Sequence, residues 1–212
     1  MNKDFWNNKW ENNEIGFHQN DVTPLLKRYL HYFLDKNSTQ KSCLLPLCGK
    51  TFDLIYLSEF FKEVTGVELI KKAVEDFYVE NNLEMRVRKF TTSSKNIEIF
   101  NEDFFIFNKS ESKKYSYIFD RASLIAISPD SREKYIQTIK RSMSIDCKIL
   151  LITIEYQQDK IEGPPFSLSD DDVMSLFKDF KIEKLCRESV TGQNKKFKGL
   201  NIHQSAWLIK NV

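Results

Sequence analysis

A glycine turn and an acidic strand end are the features of this chain whose residue types and spacing predict chemistry. Gly49 follows the apolar run Leu44–Cys48, and Glu68 ends the apolar segment Gly66–Glu68. The residues between them, about 53–61, predict a helix. This order is typical of the first unit of a nucleotide-binding α/β sheet, in which the glycine lets backbone amides approach the ligand and the carboxylate accepts hydrogen bonds from two ribose hydroxyls. We therefore expect Gly49 and Glu68 to bind an adenosine-containing molecule.

The glycine content of this turn distinguishes between adenosine-containing ligands. The sequence has no phosphate-binding loop of the form Gly-x-x-x-x-Gly-Lys-Ser/Thr, and a dinucleotide site needs three glycines where this turn has one. S-adenosylmethionine carries no phosphate, and its sulfonium and ammonium groups are attracted by nearby carboxylates. The turn therefore favours S-adenosylmethionine.

Two further acids follow later predicted strands. Asp103 comes after the strand predicted at about 96–100, where its carboxylate is suited to accept the adenine amino group with Phe104 against the ring face. Asp120 ends the next strand along the chain. Each acid alone is more typical of a polar residue where a strand emerges into solvent. Because parallel strands share one carboxyl edge, we nevertheless expect Glu68, Asp103 and Asp120 to converge on one ligand.

Strands and helices alternate over most of the chain, as in a parallel sheet. Two N-terminal helices are predicted first, over about 4–10 and from Pro24 onward. Strands follow at about 43–47, 63–68, 96–100, 115–120 and 148–155, with helices at about 53–61, 70–81 and 132–143. Ser169 predicts a helix N-cap, and the last two strands, at about 181–188 and 202–209, should be antiparallel. We expect a single domain over 1–212, with a helical cover at 1–40 and a nucleotide-binding sheet at 41–212.

Composition excludes several classes of function. The chain has 212 residues and a net charge of +2 with dispersed lysines, so we expect no nucleic-acid partner. No apolar stretch is long enough to cross a membrane and no signal sequence is visible, which favours a cytoplasmic protein, and we expect a monomer. Four cysteines without Cys-x-x-Cys spacing and three unpaired histidines predict no metal site. A reactive role for Cys48 would rest only on its place in the glycine turn.

An ordered set of segments resembles the thiopurine S-methyltransferase family. They are Trp6 and Trp10, Ile15–His18, Pro24–Leu26, Pro46–Lys50, Gly66–Leu69, Phe119–Ala122, Leu150–Tyr156 and Gly163–Phe166. The resemblance implies an α/β fold, the Rossmann-like class I methyltransferase fold, with a mostly parallel seven-stranded sheet, an antiparallel last strand and an N-terminal helical cover. It also implies transfer of the methyl group of S-adenosylmethionine to the sulfur of an aromatic or heterocyclic thiol or thione, with S-adenosylhomocysteine as the product.

The resemblance assigns site residues as well. Trp10, Leu47, Glu68 and Arg121 match cofactor contacts of the family, with Gly49 in the turn, Trp6 in the aromatic cover, and Asp103 and Phe104 flanking adenine. Phe17, Arg121, Pro164, Pro165 and Phe166 match the acceptor pocket. Two segments depart from the family pattern: Ser123 after the fourth strand, and the loop at 192–199, which is expected to edge the pocket and matches loosely.

Methyl transfer to a soft sulfur atom depends on alignment and desolvation more than on a nucleophile from the protein. Arg121 is the candidate catalytic residue because a fixed guanidinium can hold or polarise an anionic acceptor, and pairing with Asp120 is its structural alternative. His18 is able to relay a proton, but a single loop histidine is more often a hydrogen-bonded surface group, so we predict no catalytic role for it.

Two other functions compete with thiol methylation. One is methylation of small or inorganic acceptors such as thiocyanate, selenium or tellurium species, which a narrow acceptor pocket would favour. The other is a non-catalytic module that binds S-adenosylmethionine, against which the aromatic cover argues, because a sensor does not need to exclude water.

Overall fold

The structure is a computed structural model that describes residues 2–83, 90–91, 96–109, 113–190 and 197–211. Two helices precede the sheet, α1 (Lys3–Glu11) and α2 (Pro24–Phe33). The Asn2 side chain caps α1 by accepting the backbone N–H of Phe5 at 3.0 Å. Pro24 occupies the first position of α2, where the backbone N–H that proline lacks would have no partner within the helix. Both predicted N-terminal helices are therefore confirmed.

An eight-stranded sheet forms the centre of the chain. Its strands are β1 (Ser42–Pro46), β2 (Glu63–Glu68), β3 (Phe90–Thr91), β4 (Ile97–Asn101), β5 (Tyr115–Arg121), β6 (Met143–Glu155), β7 (Phe180–Val190) and β8 (Ile202–Asn211). They lie in the order β3-β4-β2-β1-β5-β6-β8-β7. The strands from β4 to β6 in this order are parallel, and β8 runs antiparallel to both β6 and β7. Seven of these strands form the predicted mostly parallel sheet with an antiparallel last strand.

The eighth strand is β3, which pairs antiparallel with β4 at the sheet edge. It lies in the polar segment 83–95, for which the sequence pattern gives no clear structure. Residues 84–89 and 92–95 lie outside the described ranges.

In the part of the chain that the structure describes, four α-helices connect the strands: α3 (Asp53–Leu57), α4 (Lys71–Glu80), α5 (Arg132–Ser142) and α6 (Asp170–Leu176). The prediction that α3 extends to Phe61 is wrong. Ser58 donates its hydroxyl to the carbonyl of Ile55 at 2.6 Å, a local bond that competes with continuation of the helix. The predicted N-cap of α6 is confirmed, since Ser169 and Asp172 form a reciprocal capping box. None of the helices in the described ranges has the length and apolar surface that a membrane span requires.

Two apolar cores cover the two faces of the sheet, so the central strands are buried on both sides. Along β5, Tyr117 and Phe119 pack into the core that contains α2, whereas Ile118 packs into the core that contains α5. Successive side chains continue to point to opposite faces of the sheet up to the end of β5. Their alternation determines which of them face the N-terminal cover.

Candidate active site

A cavity of about 410 Å³ opens at the carboxyl ends of β1, β2 and β5, beneath α1. The chain continues from β1 to β2 on one side, while β5 pairs with β1 on the other side. Such a point, where strand connections diverge, leaves a crevice beyond the strand ends and is the usual ligand site of open α/β sheets. The topology therefore creates the cavity, and the residues at the three strand ends determine its chemistry.

The turn after β1 follows an unusual backbone path. Leu47 and Gly49 have φ angles of +46° and +53°, in the left-handed region that favours glycine. A Cβ at Gly49 would lie 3.2 Å from Cζ2 of Trp10, so the indole packs directly on the turn. Both the φ angle and the close approach of Trp10 favour glycine here.

The Glu68 carboxylate is buried at the end of β2 and lines the cavity. Its Oε2 accepts the N–H of Gly49 at 2.8 Å, and its Oε1 accepts the N–H of Ile70 at 2.8 Å. Burial raises the pKa of Glu68, and these backbone donors oppose the shift. The N–H of Gly49 itself is bonded to Glu68, and the approach of backbone amides of this turn to the ligand stays a prediction.

This arrangement suits S-adenosylmethionine. A carboxylate offers about four acceptor sites, of which the two amides use two, so each oxygen keeps acceptor capacity for a ribose hydroxyl. The same buried carboxylate would repel the pyrophosphate of a dinucleotide, and the turn amide that could cradle a phosphate is already used. The acceptor oxygens of Glu68 are thus suited to a cationic cofactor that carries no phosphate.

Aromatic side chains of the N-terminal cover close one side of the cavity. Phe17 makes edge-to-face contacts with Trp6 and Trp10, with ring centroids 5.7 and 5.8 Å apart. Trp10 is buried together with Ile70 and Ala73 at the start of α4. The cover therefore packs against the start of α4 through the same indole that contacts Gly49.

Arg121 ends β5 on the face that carries Tyr117 and Phe119, and it lines the cavity. Its Nη1 donates to the carbonyl oxygen of Phe17 at 2.9 Å, which links the strand to the cover. Burial lowers the pKa of Arg121, and the negative charge of Asp53 opposes this effect. The structural alternative of an ion pair with Asp120 is not observed, since consecutive strand residues point to opposite faces.

Asp53 is a wall residue to which sequence reasoning assigned no role in the site. Its Oδ1 accepts the N–H of Thr23 at 2.8 Å, and its Oδ2 accepts the hydroxyls of Thr23 at 2.8 Å and Thr51 at 2.9 Å. The residue is buried and lines the cavity. An acid in the first turn of a helix is explained by the helix dipole alone, so the sequence carried no signal for this longer-range role.

The proline segment forms another part of the wall. Pro164 and Pro165 line the cavity, and the hydroxyl of Tyr156 donates to the carbonyl of Pro165 at 2.6 Å. Phe166 is not among the described residues of the wall. Its ring packs on Gly163, so closely that a Cβ built on this glycine would lie 2.6 Å from Cδ1 of Phe166. Its predicted contact with the acceptor stays a prediction.

Phe197 lines the cavity from the loop before β8, the loop that the family resemblance places at the pocket edge. Residues 192–196 of that loop lie outside the described ranges.

The expectation that three acids converge on the ligand is wrong for Asp120. Asp120 faces the α5 core, where it accepts the hydroxyl of Tyr135 at 2.7 Å and the N–H of Leu124 at 3.1 Å. Burial raises the pKa of Asp120 to about 6.

Asp103 and Phe104 are not among the described residues that line the cavity. Asp103 Oδ1 accepts the N–H of Phe105 at 2.9 Å in a tight turn, and the buried Phe104 ring packs on Phe107 and Tyr135. Their predicted contacts with adenine stay predictions.

Cys48 lines the cavity, but burial and the charge of Glu68 raise the pKa of its thiol, which opposes formation of a reactive thiolate. Among the described residues, no group of three or more histidine, cysteine, aspartate or glutamate side chains is close enough together to hold a metal ion.

This sheet topology, with a buried carboxylate at the end of β2 and no phosphate-binding loop, defines a class I S-adenosylmethionine-dependent methyltransferase. The sequence model of the thiopurine S-methyltransferase family matches residues 1–211, and the chain belongs to that family. Its function is thus methyl transfer of the thiopurine S-methyltransferase type, with S-adenosylmethionine as the cofactor, as the sequence predicts.

Known proteins support this assignment over the full length of the chain. A thiopurine S-methyltransferase from Aliivibrio fischeri (strain MJ11) is 34% identical over 100% of both chains. One from Pseudomonas fluorescens (strain Pf0-1) is 37% identical over 93% of this chain and 92% of its own length. A crystal structure of an S-adenosylmethionine-dependent methyltransferase from Anabaena variabilis shares the fold, with a TM-score of 0.68 and 17% identity over 99% of this chain and 95% of that chain.

Proposed function

We propose that the protein methylates an aromatic or heterocyclic thiol, and that one side of the cavity binds the cofactor while the other side binds the thiol. Glu68, Trp10, Leu47 and Gly49 form the cofactor side, and Phe17, Arg121, Pro164 and Pro165 form the acceptor side. The observation that carries the proposal is the continuity of the cavity from a buried carboxylate to an aromatic and proline wall with a guanidinium. Flat apolar walls with few polar groups favour a flat aromatic acceptor.

On the cofactor side, the Glu68 oxygens accept hydrogen bonds from the ribose hydroxyls, and the Trp10 ring keeps water from the turn. When bound, S-adenosylmethionine supplies an electrophilic methyl group on a positively charged sulfur. Trp6 extends the same cover from the preceding helical turn.

On the acceptor side, Arg121 donates one N–H to the Phe17 carbonyl, and within the described ranges its other four N–H groups are left for other acceptors. It attracts the negative charge of a thiolate in a site where water is largely excluded. The cover and the proline segment align the sulfur and exclude solvent, which is most of what this displacement needs.

The aromatic cover favours an organic acceptor over a small inorganic one, because rings such as Phe17 offer contact area that an ion of a few atoms cannot use. We further propose a cytoplasmic monomer that acts on a free small molecule without a nucleic-acid partner. In it, residues 1–40 form the cover of a single domain and residues 41–212 hold the cofactor.

The decisive experiment incubates the protein with methyl-labelled S-adenosylmethionine and a panel of aromatic thiols, aliphatic thiols, thiocyanate and selenite. We expect the highest kcat/KM with aromatic thiols. Preference for thiocyanate or selenite would support the inorganic-acceptor alternative. Binding of the cofactor without transfer to any member of the panel would support the binding-module alternative and refute the proposal.

A further inference from the structure

His18 lies on the cavity wall in the loop between α1 and α2, next to the residue that receives the Arg121 hydrogen bond. Its backbone N–H donates to Ile15 at 2.7 Å, and its half-buried ring stacks on Phe52 with centroids 6.3 Å apart. Within the described part of the chain, no hydrogen bond reaches either ring nitrogen. The loop histidine is therefore not the hydrogen-bonded surface group that its sequence context suggests.

The carboxylates of the described cavity wall are already engaged. Glu68 accepts two backbone amides, and Asp53 accepts three hydrogen bonds from Thr23 and Thr51. Glu14 forms an ion pair with Lys9 at the exposed rim. Among the described wall residues, His18 thus has a ring nitrogen whose lone pair is left for a ligand.

The charges around His18 favour its neutral form. Burial lowers the pKa of His18 most, followed by the positive charge of Lys50 in the glycine turn. Arg121 at the end of β5 lowers the pKa of His18 further, while Glu80 of α4 raises it. An imidazole whose pKa lies below the ordinary value of about 6.5 is mostly neutral at pH 7, and one of its two nitrogens is then a hydrogen-bond acceptor.

We propose that His18 is the general base that removes the proton from the thiol acceptor. The S–H bond breaks and an N–H bond forms on the imidazole, while the electron pair stays on sulfur. The sulfur then bonds to the methyl carbon as the bond between that carbon and the sulfonium sulfur of S-adenosylmethionine breaks, which leaves S-adenosylhomocysteine. Arg121 stabilises the thiolate as it forms, and the imidazolium returns its proton to water when the thioether leaves. This role rests on the proposed thiol-methylating function.

The expected effect follows from the ionisation of the acceptor. An aliphatic thiol with a pKa of about 8.5 is only a few per cent ionised at pH 7, so an enzyme limited to the existing thiolate would lose up to about 30-fold in kcat/KM. An aromatic thiol that is ionised at pH 7 needs no base. The loss in His18→Gln should therefore depend on the pKa of the acceptor.

The test compares the wild type with His18→Gln and with the control His31→Gln, since His31 is exposed on α2 away from the cavity. For an aliphatic thiol, His18→Gln should lose about 10- to 30-fold at pH 7 and regain wild-type kcat/KM above the thiol pKa. For a pre-ionised aromatic thiol it should stay within about 2-fold of the wild type. Equal losses for both thiols, or no recovery at high pH, would overturn the proposal.

A second measurement does not depend on turnover. The ultraviolet absorbance of an aromatic thiol of near-neutral pKa reports its thiolate when it is bound to the protein with S-adenosylhomocysteine. The wild type and His31→Gln should bind more of it as thiolate than His18→Gln does, and identical thiolate fractions would refute the role of His18. If the wild type methylates no thiol at all, the proposed function fails instead.

Discussion

Substitution of Gly49 by alanine tests the link between the glycine turn and the aromatic cover. Alanine at a φ of +53° costs about 1–2 kcal/mol in backbone strain. Its Cβ would also lie 3.2 Å from Cζ2 of Trp10, closer than such contacts normally are, so the indole must shift by a few tenths of an ångström. We therefore expect a lower free energy of unfolding and a displaced Trp10.

Gly199 provides a matched control for this substitution. Its φ of +81° also lies in the left-handed region, but a Cβ there would meet no described atom within 4 Å. Gly199→Ala should lose a similar free energy of unfolding, about 1–2 kcal/mol, without moving any side chain of the cofactor half. The difference between the two variants isolates the contact with Trp10.

Urea unfolding measures the strain, and titration calorimetry with S-adenosylhomocysteine measures the cofactor half of the cavity. We expect Gly49→Ala to bind about 10-fold more weakly, equivalent to about 1.4 kcal/mol, and Gly199→Ala to bind as the wild type does. Wild-type affinity in Gly49→Ala would refute the assignment of Trp10 and the turn to cofactor binding. Equal weakening in both variants would show that the loss arises from backbone strain and not from the indole.

Three other substitutions test separate parts of the site. Glu68→Ala should weaken cofactor binding about 10-fold or more in calorimetry, because buried hydroxyls lose a charged acceptor; unchanged affinity would exclude the ribose role. Arg121→Ala should lower kcat/KM for thiols about 100-fold with an unaltered circular dichroism spectrum, whereas a melted spectrum would indicate a structural role. The pKa of Asp120 is about 6 in the folded protein and 3.8 in the unfolded chain, so its ionisation lowers the free energy of unfolding by about 3 kcal/mol as the pH rises through that interval. Asp120→Asn should remove this pH dependence of stability. Urea midpoints of wild type and variant that run parallel from pH 4 to 7 would contradict this.

The sheet was predictable from sequence because local pattern and topology agree. The β-branched run around Leu150 and the apolar segment before Glu68 are typical of strands buried on both faces, and a parallel sheet then requires helices between them. Gly49 and Glu68 identify the first unit because only that unit needs a tight turn and an acidic tip at such spacing. These features depend on residues close together in the chain.

The direction of side chains at the strand ends was less predictable. Asp120 and Arg121 are adjacent in sequence, yet one faces α5 and the other faces the cover, because the register of β5 decides which core each side chain enters. Phe104 is similarly committed to the α5 core by its contact with Tyr135. Asp53 binds Thr23, which is 30 residues away, and no local pattern encodes that bond.

The turn after β1 and the turn after β5 are joined by a hydrogen bond. Leu47 and Ala122 both have positive φ angles, and for residues other than glycine such angles cost about 1–3 kcal/mol each. The hydroxyl of Ser123 donates to the carbonyl of Pro46 at 2.6 Å and so bonds one turn directly to the other. Because Leu47 and Arg121 flank this bond, we propose that a shift of the cofactor side also moves the acceptor side. The hydroxyl of Ser123 thus links the turn after β1 to the turn after β5.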